Sequence, residues 1–198
     1  MPYAAIDLFC GVGGLTKGLE QAGINVVAGL DFEPSCQYAY EKNNNAKFIQ
    51  RDITTVTPEE LSALYPDNLD IHILAGCAPC QPFSKYTQRY RKAGYKDEKW
   101  RLLYSFGGLA QAIHPEIIAM ENVPELEKTA VFSDFENGLK DHGYHIFHKI
   151  VYCPDYGIPQ SRKRLVLLAS SLDEISLLPA THSHSNYVTV KDAIGNLP

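Results

Sequence analysis

The stretch "YAAIDLFCGVGGLTKGLEQAG", residues 3–23, decides how the rest of the chain is read. A short apolar run, "YAAIDLF", ends at a glycine cluster, and "LTKGLEQAG" then shows helical spacing closed by Gly23. Strand, tight turn and helix in that order open a parallel-sheet unit. Gly11, Gly13 and Gly14 would let the backbone approach a ligand where the helix begins. A dinucleotide fingerprint needs a further glycine at its sixth position, which counted from Gly11 is Thr16, so a pyrophosphate binder is disfavoured.

The alternation continues outward. "NVVAGLD" (25–31) predicts a second strand ending at Asp31, and "PSCQYAYEKN" (34–43) a second helix with Pro34 in its first turn. "AKFIQRDI" (46–53) predicts a third strand ending near Asp52. "TPEELSALYP" (57–66) carries Thr57 and Glu60 in the spacing of a capping box. "LDIHILAG" (69–76) and "EIIAMEN" (116–122) predict strands four and five, each followed or preceded by helical spacing, in "LLYSFGGLAQAIHP" (102–115) and "FSDFENGLKDHG" (132–143). "YHIFHKIVY" (144–152) and "KRLVLLAS" (163–170) predict a late antiparallel pair. The whole predicts an α/β, doubly wound, mostly parallel sheet, whose sites lie beyond the carboxyl ends of the strands. Gly11, Asp31, Asp52, Cys80 and Glu121 fall at such ends. The tail "THSHSNYVTVKDAIGNLP" (181–198) reads as polar with weak structure.

Composition limits the function classes. At 198 residues the chain predicts one domain with a sizeable core. It shows no long apolar run and no leader, so neither a membrane span nor a secretory signal is expected, and the expected place is the cytoplasm of a bacterium or the nucleus of a eukaryote. A formal charge of −5 argues against a protein that coats nucleic acid by bulk charge. One segment is different: "KYTQRYRKAGYKDEKWR" (85–101) holds seven basic residues interleaved with Tyr86, Tyr90, Tyr95 and Trp100. The five cysteines, an odd number scattered along the chain, do not form a disulfide framework. Cys77 and Cys80 have C-x-x-C spacing, which a redox pair or half a zinc site also shows. No second such pair follows, and His182 and His184 have the wrong spacing for a finger, so no metal is expected.

Cys80 is the sharpest candidate. It stands in "GCAPCQPFS" (76–84) between Pro79 and Pro82, which cannot continue a strand ladder and would stiffen an exposed loop. Taken alone, a cysteine is more often a small buried residue than a nucleophile. Arg162 and Arg164, two apart in "QSRKR" (160–164), share one strand face and with Gln160 suit an anionic or carbonyl-bearing substrate; a paired surface face is the bland alternative. Glu121 at a strand end is an acid candidate, with Asn122 beside it able to orient the loop. Asp31, ending the second strand, stands where an acid accepts from ribose hydroxyls.

Taken together these segments resemble the DNA (cytosine-5)-methyltransferase family, in order along nearly the whole chain: "DLFCGVGGL", "GLDFEP", "RDIT", "PCQPFS", "ENV" and "QSRKR". The resemblance implies a Rossmann-like fold using S-adenosylmethionine, released as S-adenosylhomocysteine, and double-stranded DNA as partner. It implies that Phe9, Gly11, Gly13 and Leu15 line the cofactor pocket, Asp31 holds the ribose, Phe32 packs on adenine, and Asp52 with Ile53 meets the adenine edge. It further implies Cys80 as nucleophile, Glu121 as the acid at cytosine N3, Arg162 and Arg164 at the base and its backbone, and Ser84, Asn122 and Gln160 near the substrate. The basic aromatic segment becomes a lid over DNA. Two departures stand out. Ala78-Pro79-Cys80 replaces the usual Pro-Pro-Cys or Phe-Pro-Cys. Nothing resembles the family's target-recognition region or its last two motifs. The expectation is a catalytic domain over 1–180 and, over 181–198, the start of a connection to a target-recognition region on a longer or second chain. An RNA (tRNA) methyltransferase, a silent regulatory relative and a nucleotide-dependent oxidoreductase are the rival readings.

Overall fold

The computed structural model describes residues 1–79 and 100–197. Cys80, Ser84 and the basic stretch up to residue 99 lie outside the described residues.

Seven strands form one sheet: β1 (Tyr3–Leu8), β2 (Val26–Asp31), β3 (Lys47–Gln50), β4 (Ile71–Gly76), β5 (Ile117–Asn122), β6 (His145–Tyr152) and β7 (Lys163–Ser170). Their order across the sheet is β3-β2-β1-β4-β5-β7-β6. β1 to β5 run parallel, whereas β7 pairs antiparallel with both β5 and β6. The chain reverses direction across the sheet between β3 and β4, on either side of β1. Ligands bind at such a switch point in open α/β sheets.

Helices α1 (Gly14–Gln21), α2 (Gln37–Asn43), α3 (Pro58–Ser62), α4 (Trp100–Ile113), α5 (Ala130–Asp141) and α6 (Val190–Ile194) complete the fold. Pro34 opens a 3-10 turn, Pro34–Cys36, and α2 proper begins only after it. Thr57 and Glu60 form the expected capping box at α3. The tail departs from the reading as weak structure: Thr189 and Asp192 cap α6 reciprocally. The Tyr187 hydroxyl donates to Asp155 Oδ1 at 2.5 Å, and the Thr181 and His182 amides both donate to the Asp155 carbonyl at 2.9 Å. Polar composition hid that docking because its bonds are made to a distant turn.

Because strand side chains alternate, the sheet has two apolar faces. One buries Leu8, Leu74, Ile118, Met120, Leu165 and Leu167 against Phe106 of α4 and Phe132, Phe135 and Leu139 of α5. The other packs Ala5, Val26, Phe48 and Ile73 against Tyr40 of α2. On that second face, Ile117 of β5 reaches this cluster, but Ala119, Val166, Leu168, Phe147 and Val151 are only half-buried and, among the described residues, join neither core.

Candidate active site

The glycine loop is bent by its own dihedrals. Phe9 has φ 59°, a value costly for a residue with a side chain, and Gly11 and Gly13 have φ 52° and 89°. Asp31, at the end of β2, clasps this loop: its Oδ2 accepts from the Gly11 amide and its Oδ1 from the Glu33 amide, both at 2.9 Å. A carboxylate has lone pairs beyond those two, so Asp31 keeps acceptor capacity toward a ligand. A side chain built at Gly11 or Gly14 would meet open space, and the Phe32 ring beside Asp31 is 66% exposed. Asp52 Oδ1 accepts from the Thr54 amide and hydroxyl, and those bonds hold its carboxyl below the usual range. These donors and acceptors fit an adenosine: a carboxylate for a diol, an open ring face for a purine, and a second carboxylate beyond it.

Other expected positions do different work. Gly13 is buried, and a Cβ there would lie within 2.9 Å of the Tyr40 ring and crowd the Asn44 side chain, so it serves packing against α2. The Ile53 side chain belongs to the core, which leaves only its backbone for a ligand, and Leu15 is half-buried on α1.

Sequence reasoning missed the support beneath the loop. Asp7, inside β1, is fully buried, and its Oδ2 accepts from the Thr16 amide at 3.1 Å and the Thr16 hydroxyl at 2.7 Å. Thr16 in turn meets the Tyr40 hydroxyl at 3.0 Å. The clue was available: a charged residue in an otherwise apolar buried strand demands a partner. Burial pushes the Asp7 carboxyl up from 3.8 to about 6, although the Thr16 bonds pull it down. Its folded value therefore exceeds the unfolded one, so between about 4 and about 6 the folded state binds more protons. Stability from this group is full below that window and lost as pH rises through it. Denaturant midpoints at pH 4.5 and 7 are expected to show Asp7→Asn abolishing that part of the slope.

The second group of candidates converges beyond β5. Glu121 Oε1 pairs with Arg164 Nε at 2.6 Å, their side chains 33% and 18% exposed. Burial pushes the Glu121 carboxyl up, and the neighbouring Cys77 and the charge of Arg162 act against it. The direct Arg164 contact favours the ionised form as well. Glu121, Arg162 and Arg164 line a cavity of about 300 Å³ whose other walls include Val151, Cys153, Tyr156, Ile158 and Leu177. It has few polar groups on an apolar lining, the usual make-up of a small-ligand site. The alternation reading of the two arginines holds, since both line this cavity, whereas Gln160 is exposed and outside that lining.

Asn122, expected near substrate and able to orient the loop, is tied to the neighbouring strand end. It is 5% exposed, its Nδ2 donates to the Ala78 carbonyl at 3.0 Å and its Oδ1 accepts from the Val123 amide at 2.9 Å. Each end of the amide makes one hydrogen bond, so Asn122 fixes the chain immediately before Pro79 and Cys80. Among the described residues no group of His, Cys, Asp or Glu could hold a metal ion, and no helix is long and apolar enough to cross a membrane.

The model of the C-5 cytosine-specific DNA methylases matches residues 3–198. The chain belongs to that family. It is 52% identical to the Type II methylase M.HgiDII of Herpetosiphon aurantiacus over 100% of its own length and 55% of that protein's. It is 32% identical to the Type II methyltransferase M.XorII of Xanthomonas oryzae pv. oryzae, covering 98% of this chain and 46% of the relative. The chain thus spans about half the length of the curated methylases it matches. Among solved structures, the S. pombe Dnmt2 methyltransferase superposes with a TM-score of 0.70 at 22% identity, over 89% of this chain and 52% of that one, a likeness of fold. The methylase family membership accounts for the order of segments from "DLFCGVGGL" to "QSRKR", and the fold is that of S-adenosylmethionine-dependent methyltransferases.

Proposed function

We propose that this chain carries the catalytic apparatus for transferring a methyl group from S-adenosylmethionine to C5 of cytosine in DNA. The observation that carries the reading is the meeting, at the ends of neighbouring strands, of the Glu121–Arg164 pair with the Asn122 clamp on Ala78, two residues before Cys80.

Cytosine C5 is a poor nucleophile. Addition of the Cys80 thiolate at C6 forms a sulfur–carbon bond and moves the C5–C6 electron pair toward C5, while Glu121 gives a proton to N3. When bound, the cofactor supplies a methyl carbon on a positive sulfur, and C5 takes that methyl as the carbon–sulfur bond breaks and the sulfur leaves neutral. A base removes the C5 proton, the C5–C6 double bond re-forms, the Cys80 thiolate departs and N3 returns its proton to the Glu121 carboxylate. Arg164 would hold Glu121 and, with Arg162, the base carbonyl. Target atoms inside a duplex stack are out of reach, so the cytosine must be turned out into the cavity. The cofactor would lie over Gly11 and Leu15, its ribose on Asp31, its adenine between Phe32 and the edge offered by Asp52 and the Ile53 backbone, with Phe9 at the loop entrance. Ser84 and Gln160 would flank the substrate.

We further infer that residues 181–198 lead toward a target-recognition region, and that a segment supplied from it, or from a second chain, covers the half-buried face formed by Ala119, Leu168 and Phe147. Radiolabelled methyl transfer to duplex DNA, compared with tRNA, tests the substrate. Label in DNA that depends on Glu121 supports the reading, and label confined to tRNA overturns it.

A further inference from the structure

The chain does not simply leave the fold after β7. That strand ends at Ser170, beside Ile117 at the start of β5, yet Leu177 stands at the other end of the same strands, in the wall of the cavity that Glu121 and Arg164 line. Residues 171–176 therefore carry the chain back along the sheet, a distance that extended backbone can cover. Beyond Leu177 the tail is fixed on the turn between β6 and β7. The Thr181 and His182 amides donate to the Asp155 carbonyl at 2.9 Å, and the Tyr187 hydroxyl donates to Asp155 Oδ1 at 2.5 Å. The His182 ring lies against Gly157, where φ is 77° and a Cβ would come within 2.9 Å of it. The Tyr187 ring meets Tyr152 edge-on, with centroids 6.0 Å apart. The turn is itself closed at Arg162, whose carbonyl accepts from the Cys153 amide at 2.8 Å. Asp155 thus holds the tail by main chain and side chain together, on a turn whose Cys153, Tyr156 and Ile158 also line the cavity.

We propose that Asp155 and Tyr187 form a latch that makes the tail a wall of the base cavity. Both are positioning residues, acting on a turned-out cytosine through Leu177 and through the turn that ends at Arg162. The proposal rests on the reading of this cavity as the cytosine site. The bond suits a latch. A hydroxyl on a carboxylate is charge-assisted and stronger than a neutral pair. That bond pushes the Tyr187 titration up to about 12, so the hydroxyl remains a donor at neutral pH. With the latch open, Leu177 and the turn lose their common anchor. The cavity then loses an apolar wall on the side facing solvent-exposed tail, and water competes with the base for the remaining polar groups.

Cys153, half-buried in the cavity wall, reports the latch without turnover. The full chain is treated with iodoacetamide and the alkylation rate of each cysteine is read by peptide mass analysis, with Cys36, on the turn before α2, as the control. Tyr187→Phe and Asp155→Ala are each expected to speed alkylation of Cys153 about 10-fold, through easier local opening, and to leave Cys36 within about twofold. The double variant is expected to match the singles, because one contact is lost in all three. Asp155→Asn keeps an acceptor for the Tyr187 hydroxyl and is expected to stay near wild type. Unchanged Cys153 rates in the two single variants, effects that multiply in the double, or an equal rise at Cys36 would overturn the proposal. Should Asp155→Ala fail to fold, Tyr187→Phe alone decides. In methyl transfer with the remaining length of the relatives supplied, Tyr187→Phe is expected to raise KM for duplex DNA about 10-fold with S-adenosylhomocysteine affinity unchanged, and an unaltered KM would remove the latch from base capture. The expected alkylation pattern in a chain that transfers no methyl would uphold the latch and count against the catalytic reading alone.

Discussion

Glu121→Gln is expected to lower methyl transfer to cytosine by about 10²- to 10⁴-fold while leaving cofactor affinity unchanged, the range for loss of a positioned general acid. The substitution keeps the shape of the side chain and a carbonyl oxygen that Arg164 Nε, now 2.6 Å from Oε1, can still address. What it removes is the proton destined for N3. Because Asp31 stands on β2 and Glu121 on β5, with β1 and β4 between them, the cofactor contacts are out of reach of the change. The measurement is single-turnover transfer to duplex DNA, with S-adenosylhomocysteine binding by calorimetry as the control. A loss of less than tenfold, or an equal loss of cofactor affinity, would remove Glu121 from the chemistry.

Asp31→Ala is expected to weaken S-adenosylhomocysteine binding by about 10²-fold, for two reasons that add. The carboxylate would no longer accept from the ribose hydroxyls, and hydrogen bonds to charged groups contribute about 1.5 to 3 kcal/mol each. The Gly11 and Glu33 amides would also lose their acceptor, each now bonded at 2.9 Å, and the loop bearing Phe9 at φ 59° would lose its tie to β2. Asp31→Asn separates these contributions. Its carbonyl can keep one backbone amide, so the loop is partly held while one acceptor is lost, and an intermediate affinity is expected. Affinity within threefold of wild type in Asp31→Ala would show that the cofactor is held elsewhere.

The parallel strands and the helices between them were legible because their signals are local: apolar runs of strand length, glycines at turns, Thr57 and Glu60 in capping register. Strand-end residues were legible for the same reason, since a doubly wound sheet brings the ends of β1, β2, β4 and β5 to one edge whatever the loops do. Asp31 and Glu121 were read this way, whereas Arg162 and Arg164 were read from their spacing of two at the start of β7. The partnerships were not legible. Nothing local links Asp7 through Thr16 to Tyr40, or Asn122 to Ala78; each pair spans tens of residues and exists only through the fold. Gly13 read as a ligand-facing glycine because spacing cannot distinguish a glycine that admits a ligand from one that admits a neighbouring helix. Tail docking was missed because Asp155 accepts from groups more than twenty residues away.

The central claim is a covalent bond between Cys80 and the target cytosine. Duplex DNA carrying fluorine at cytosine C5, incubated with this chain, S-adenosylmethionine and a polypeptide supplying the remaining length of its methylase relatives, tests it directly, because fluorine cannot leave as a proton does. Denaturing mass analysis is predicted to find a species combining chain, DNA and one methyl group, mapped to Cys80 and absent in Cys80→Ala. Methylation of ordinary DNA without any such adduct, or an adduct that survives Cys80→Ala, would contradict the account.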